Sequence, residues 1–77
     1  MSRAKIINIL DTLYYLPDYK IILNLKETSL TFWYNEHSNT YIIVRLVEEN
    51  ITKLELLDFL LTLKNSDVIS IKIDHQL

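Results

Sequence analysis

Residues 19–46 read YKIILNLKETSLTFWYNEHSNTYIIVRL, and the fold turns on how this stretch divides into strands. Tyr19, Ile21, Leu23 and Leu25 alternate with Lys20, Ile22, Asn24 and Lys26. Leu30, Phe32 and Tyr34 alternate with Ser29, Thr31 and Trp33, and Ile42, Val44 and Leu46 with Tyr41, Ile43, Arg45 and Val47. A period of two places successive side chains on opposite faces of a strand, so each run reads as a strand with one buried face. The breaks, Glu27-Thr28 and Glu36 to Thr40, are polar and short enough for hairpins. The stretch therefore predicts a three-strand antiparallel meander.

Its register follows from matching buried faces across the strands. With Glu27-Thr28 as the turn, Leu25 is expected opposite Leu30, Leu23 opposite Phe32 and Ile21 opposite Tyr34. Pairing Tyr34 with Ile42 then brings Phe32 to Val44 and Leu30 to Leu46. The opposite face would carry a row of Ile22, Trp33 and Ile43. Asn24, Thr31 and Arg45 would flank it on one side, and Lys20, Asn35 and Tyr41 on the other, with Lys26 and Lys72 on the same surface. An apolar row centred on a tryptophan and rimmed by cations has the make-up of a contact surface. The plainer alternative is a tryptophan that packs against cross-strand neighbours, among lysines that keep a sheet soluble.

Outward from the meander, the spacing of Ile6, Ile9, Leu10, Leu13 and Leu16 predicts a helix over Arg3–Tyr15, capped by Ser2 and stopped by Pro17. Thr52 and Glu55 fit a capping box, with Ile51 and Leu56 at the positions of a hydrophobic staple. That helix is expected to run to about Lys64, with Glu48-Glu49 preceding it as dipole-matched charge. A last strand over Val68–Asp74 directs Ile69, Ile71 and Ile73 to one side. The order α-βββ-α-β predicts an α+β domain spanning 1–77. Its sheet would be four-stranded and mixed, with both helices on one face and the last strand parallel to the first or third.

In its α-βββ-α order the chain resembles double-stranded-RNA-binding domains, in topology alone. Those domains grip phosphates with a lysine cluster opening the last helix, where this sequence has Glu48, Glu49, Asn50 and a single Lys53. The resemblance implies no function here.

Composition narrows the function classes. With 77 residues, 49% of them hydrophobic, and no cysteine, packing must hold the chain without a disulfide or thiolate metal site. A net charge of −2 disfavours a generally basic nucleic-acid binder. No apolar run approaches the roughly 18 residues of a membrane span, and no signal-peptide pattern is present, so a cytoplasmic location is expected. The absence of glycine removes phosphate-cradling loops, and it leaves positive-φ turns to Asn or Asp. His37 and His75 lack ligand spacing with each other or with carboxylates, so neither a metal nor another cofactor is expected.

No nucleophile–base arrangement stands out, so the chain is expected not to be an enzyme. The reading that remains is a small non-catalytic protein–protein interaction module that associates with itself. Its size, and a residue usage rich in Ile, Asn, Lys and Tyr with no Gly that suggests an AT-rich coding sequence, fit a regulator or inhibitor carried by a virus or mobile element. The predicted partner surface is Ile22, Trp33, Ile43, Tyr41, Arg45 and Lys20. The second helix carries surplus apolar residues, Leu56, Phe59 and Leu63, on one flank. Either the first helix covers that flank or a twofold dimer does. The alternative is nucleic-acid binding on the open sheet, with Trp33 and Tyr41 stacking on bases and Lys20, Lys26, Arg45 and Lys72 meeting phosphates.

Overall fold

The computed structural model describes residues 1–76. A first helix, α1 (Arg3–Tyr15), leads into β1 (Tyr19–Leu25), β2 (Ser29–Asn35), β3 (Thr40–Val44) and β4 (Glu48–Ile51). Then come α2 (Lys53–Leu61), a 3₁₀ turn at Asn65–Asp67 and β5 (Val68–His75). The five strands form one open antiparallel sheet in the order β4-β3-β2-β1-β5. The class is α+β with two helices, as the sequence predicts, but the sheet is neither four-stranded nor mixed. The cause is β4, which adds one reversal of direction before α2. The crossover through α2 therefore delivers β5 antiparallel to β1 instead of parallel to it.

Both helices form where their local signals place them. The Lys5 N–H donates to Ser2 Oγ at 3.2 Å, and Ile6, Leu10 and Leu13 of α1 are buried. At α2 the capping box is complete. The Glu55 N–H donates to Thr52 Oγ1 at 3.2 Å and the Thr52 N–H to Glu55 Oε1 at 3.1 Å. Hydrogen bonding of the Glu55 carboxyl to the Thr52 side chain, and then to the Thr52 backbone N–H, holds it below its ordinary range. The helix ends at Leu61, short of Lys64, and the Thr62 hydroxyl donates to the Phe59 carbonyl at 2.6 Å as the chain leaves.

The two hairpin registers depart from expectation in different ways. In the first, the Leu25 N–H donates to the Thr28 carbonyl at 2.8 Å, so the turn centres on Lys26-Glu27. Ile21 then meets Phe32 and Leu23 meets Leu30. This is a slide of two residues, and an even slide keeps every side chain on its face. The second hairpin slides by one. Phe32 meets Ile43, Trp33 meets Ile42 and Tyr34 meets Tyr41, and an odd slide turns the whole of β3 over.

The four-residue loop 36–39 sets that slide. Asn39 adopts φ 55° and so supplies the left-handed residue that closes the loop without glycine. The Tyr34 hydroxyl donates to Asn39 Oδ1 at 3.1 Å, and Asn35 Oδ1 accepts from the His37 N–H at 3.0 Å. Strand β3 consequently begins at Thr40, and Tyr41 and Ile43 point into the core with 3% and 0% exposure. Ile42 and Val44, expected inside, lie on the opposite face. Leu46 is fully exposed at the tip of the 45–47 turn. Beyond that turn Glu48 and Glu49 pair with Val44 and Ile43 as part of β4 instead of waiting ahead of the helix.

The core lies between the helices and one sheet face. Ile6, Leu10 and Leu13 of α1 and Leu56, Leu57 and Leu60 of α2 pack against Ile21, Leu23, Leu30, Phe32, Tyr34, Tyr41 and Ile43. The Tyr41 hydroxyl satisfies itself inside this layer by donating to the Leu10 carbonyl at 2.7 Å.

Ile43→Ala is expected to cost about 2–5 kcal/mol in urea denaturation, the range for a truncated core isoleucine. A near-neutral result would return Ile43 to the open face. Tyr41 gives a pH prediction. Burial, followed by the charge of Asp11 and the Tyr34 and Tyr14 phenols, raises its pKa from 10.0 to about 12. The folded state thus holds the phenol proton more tightly than the unfolded chain does. Its contribution is complete below pH 10 and declines as the pH rises toward about 12. The urea midpoint measured across that window should fall more steeply for the native chain than for Tyr41→Phe.

Candidate functional site: the open sheet face

The face opposite the helices is built from the alternate residues of all five strands. Ile42 lies between its cross-strand partners Trp33 and Asn50, and Val44 between Thr31 and Glu48. Ile22 lies between Thr31 and Lys72. The apolar centre is therefore a diagonal patch of Ile22, Trp33, Ile42 and Val44. Ile42 keeps only 5% exposure although no helix packs on this side, while Trp33 is half-buried.

Polar pairs close the margins of the patch. Asn24 Nδ2 donates to Ser70 Oγ at 2.9 Å, joining β1 to β5, and Thr40 Oγ1 donates to Asn50 Oδ1 at 3.1 Å, joining β3 to β4. Charge is mixed across the face. Lys20 is paired in register with Asp74, Lys72 lies two pairs further along opposite Ile22, and Glu48 stands on the far edge. A shallow cleft of about 320 Å³ opens at one end, where Trp33 meets Asn35, His37, Asp18 and Gln76.

Of the residues predicted for this surface, Ile22, Trp33, Lys20 and Lys72 come together on it. Tyr41 and Ile43 do not, because the odd slide of β3 carries them into the core. Arg45 follows the same parity to the helix side. Its guanidinium pairs with Glu49 at 3.1 Å and lies 4.8 Å from the centre of the Phe59 ring. Lys26 belongs to the β1–β2 turn. The proposed dimer flank on α2 is occupied by its own chain. Leu56 is fully buried, and Phe59 and Leu63 are partly buried against the core.

Ile42 and Val44 belong to the patch and were missed, because β3 is apolar at both parities and its alternation is silent. A second cluster was also missed. Tyr14, Tyr34 and Tyr41 pack at centroid distances of 4.9 and 5.1 Å, with Tyr15 at 5.3 Å from Tyr14. They line a cleft of about 370 Å³ rimmed by Asp11 and Lys53, which pair at 2.6 Å. Two of these phenols are committed to Asn39 and Leu10, so the cluster serves the packing of α1 on the sheet.

His37 lies in the β2–β3 loop and His75 stacks on Tyr19 at 4.3 Å. Among the described residues no group of three or more His, Cys, Asp or Glu is placed to hold a metal ion. No described helix is long and apolar enough to cross a membrane. Comparison with known proteins finds no matching family model, no matching curated protein and no matching solved structure.

Proposed function

We propose that this protein is a non-catalytic protein–protein interaction module that seats a partner on the open face of its sheet. The observation that carries this reading is the patch of Ile22, Trp33, Ile42 and Val44. It is an apolar surface with an aromatic centre, with no helix over it among the described residues, and part of its polar rim is bonded within the chain through Asn24–Ser70 and Thr40–Asn50. Such a surface loses little on desolvation of its rim and gains from covering its centre, the usual economy of an interface core. The expected partner offers an apolar contact for Trp33, with acidic groups facing Lys20 and Lys72 and a basic group facing Glu48.

Two further observations support a protein partner over nucleic acid. The face mixes signs, with Lys20 and Lys72 set beside Asp74 and with Glu48 at the opposite edge, whereas a phosphate-tracking groove needs a run of cations. Of the residues that would stack or pair with a nucleic acid, Tyr41 is buried and Arg45 is engaged with Glu49 and Phe59. A regulator or inhibitor of the kind carried by viruses and mobile elements fits the chain's small size.

The test uses a photo-crosslinking residue in place of Trp33 and follows the captured protein into a binding assay. Trp33→Ala should weaken that complex by about 2 kcal/mol or more. The same change should cost less stability than Phe32→Ala, which truncates a core aromatic and falls in the range of about 3–5 kcal/mol. Capture of nucleic acid alone would overturn the reading. So would a Trp33→Ala variant that unfolds as readily as Phe32→Ala, or one that leaves partner affinity unchanged.

A further inference from the structure

The sheet ends in two unlike edges. At one end β4 is four residues long, begins Glu48-Glu49 and is tied by the Arg45–Glu49 ion pair. Antiparallel self-pairing there would bring acidic side chains against one another, which is how natural edges discourage association. At the other end β5 runs for eight residues without proline. It has β1 on one side and no strand on the other among the described residues. Ile69 and Ile73 remain 68% and 57% exposed.

The backbone polarity of that edge can be read from the hydrogen bonds. The Gln76 N–H donates to the Asp18 carbonyl at 2.9 Å, and the Lys26 N–H to the Asp67 carbonyl at 2.8 Å. Antiparallel partners bond at every second residue, so Asp74, Lys72 and Ser70 turn their backbone groups toward β1. Ile71, Ile73 and His75 turn theirs outward. Ile69 is the extra residue at the register shift between Asn24 and Leu25, and the bulge it makes marks where regular pairing ends.

We infer that β5 is the seam of a twofold homodimer, in which two copies pair edge to edge and fuse their sheets into one. In a symmetric antiparallel pair the residue on the axis faces its own copy, and the side chains select which residue that is. A register centred on Lys72 sets two lysines against each other. One centred on Ile71 runs into the bulge and faces Val68 with Asp74. Centring on Ile73 places Lys72 opposite the second copy's Asp74, and Asp74 opposite the second copy's Lys72, on the open face. On the helix face the same register brings Ile73 against Ile73 and Ile71 against His75. The outward backbone groups of Ile71, Ile73 and His75 then meet their counterparts in bonding position. Backbone polarity is met by this register, and charge, apolar contact and the position of the bulge select it over its neighbours; that self-complementarity names a second copy of this chain as the occupant.

This inference does not rest on the Trp33 reading, although a fused sheet would set two open faces side by side and present a partner with a bivalent surface. The test is sedimentation equilibrium on the full chain and four variants, with circular dichroism to confirm folding. The native chain should dimerise. Ile73→Pro removes an N–H that points away from β1, so it should yield a folded monomer. Lys72→Asp sets like charges across both ends of the axis and should weaken the dimer on the order of tenfold. The double change Lys72→Asp with Asp74→Lys restores opposite charges and should recover the native constant. Trp33→Ala should leave the constant unchanged, which separates this seam from the partner face. The inference is overturned by a native chain that stays monomeric at high micromolar concentration, by a dimer that survives Ile73→Pro, by a charge swap that fails to rescue, or by a dimer lost in Trp33→Ala.

Discussion

Asn39 holds the left-handed conformation that closes the β2–β3 loop, and the remaining sheet depends on it. With no glycine in the chain, few residues can take that position cheaply, since Cβ crowds the following carbonyl oxygen there and Asn is among the few side chains that offset the cost by local hydrogen bonding. Asn39 is fastened by the Tyr34 hydroxyl, itself a core residue, so the loop closure and the packing of β2 stabilise each other. Closing the loop at four residues sets the parity of β3. That parity sends Tyr41 inward, and Tyr41 spans the layer to bond the Leu10 carbonyl of α1. One turn conformation thus decides which half of β3 is core, where α1 docks and which residues remain on the open face.

The second controlling quantity is width. Strands are spaced at about 4.8 Å, and a helix with its side chains is about 10 Å across, so two helices side by side cover roughly four strands. A sheet of five strands exceeds that cover by one. The excess falls at β5, where Ile73 shares the helix-facing parity of Ile21 yet stays exposed, whereas Ile21 is buried. Toward the other end α1 packs on β2 and α2 on β3, and the Arg45 guanidinium lies over the Phe59 ring of α2, so the cover is drawn toward that side. The exposed edge is therefore a geometric remainder: the described residues form five strands and two helices.

Much of this was legible in the sequence, and the parts that were not share a cause. The α1 and α2 caps, the stop at Pro17 and the buried faces of β1 and β2 follow from local chemistry or from clean alternation between apolar and polar residues. The residues 41–44, Tyr-Ile-Ile-Val, are apolar at both parities, because β3 is flanked by strands on both sides and buried on both faces. Alternation carries no information in such a strand, and the register passes to the loop, whose length a sequence reading can misjudge by one residue. β4 was invisible for the opposite reason. Glu48, Glu49 and Asn50 look like a solvated approach to a helix, and only pairing with β3 makes them a strand. The antiparallel sense of β5 was lost with β4, since strand direction is a count of reversals. On the open face Ile22, Trp33, Lys20 and Lys72 could be placed because they lie on strands with informative alternation, or on a strand paired to one. Tyr41, Ile43 and Arg45 could not, because all three inherit the parity of β3.

That double burial of β3 also bears on what Trp33 can do. Ile42 is 5% exposed on a face without helices, so its cover comes from cross-strand neighbours, and Trp33 is the largest of them. The indole therefore has two tasks. As the cross-strand neighbour of Ile42 it helps to cover that buried side chain, and being only half-buried it keeps surface open to solvent. A side chain already held by its neighbours loses little rotamer freedom when a partner arrives. The shielding also makes the site resist rearrangement, because swinging the ring outward to grip a partner would uncover Ile42. On the proposed reading, a partner would fit itself to a fixed indole, and the indole would not reach for the partner. The antiparallel sheet beneath, pinned at its margins by the Asn24–Ser70 and Thr40–Asn50 bonds, is a suitable base for such a rigid contact.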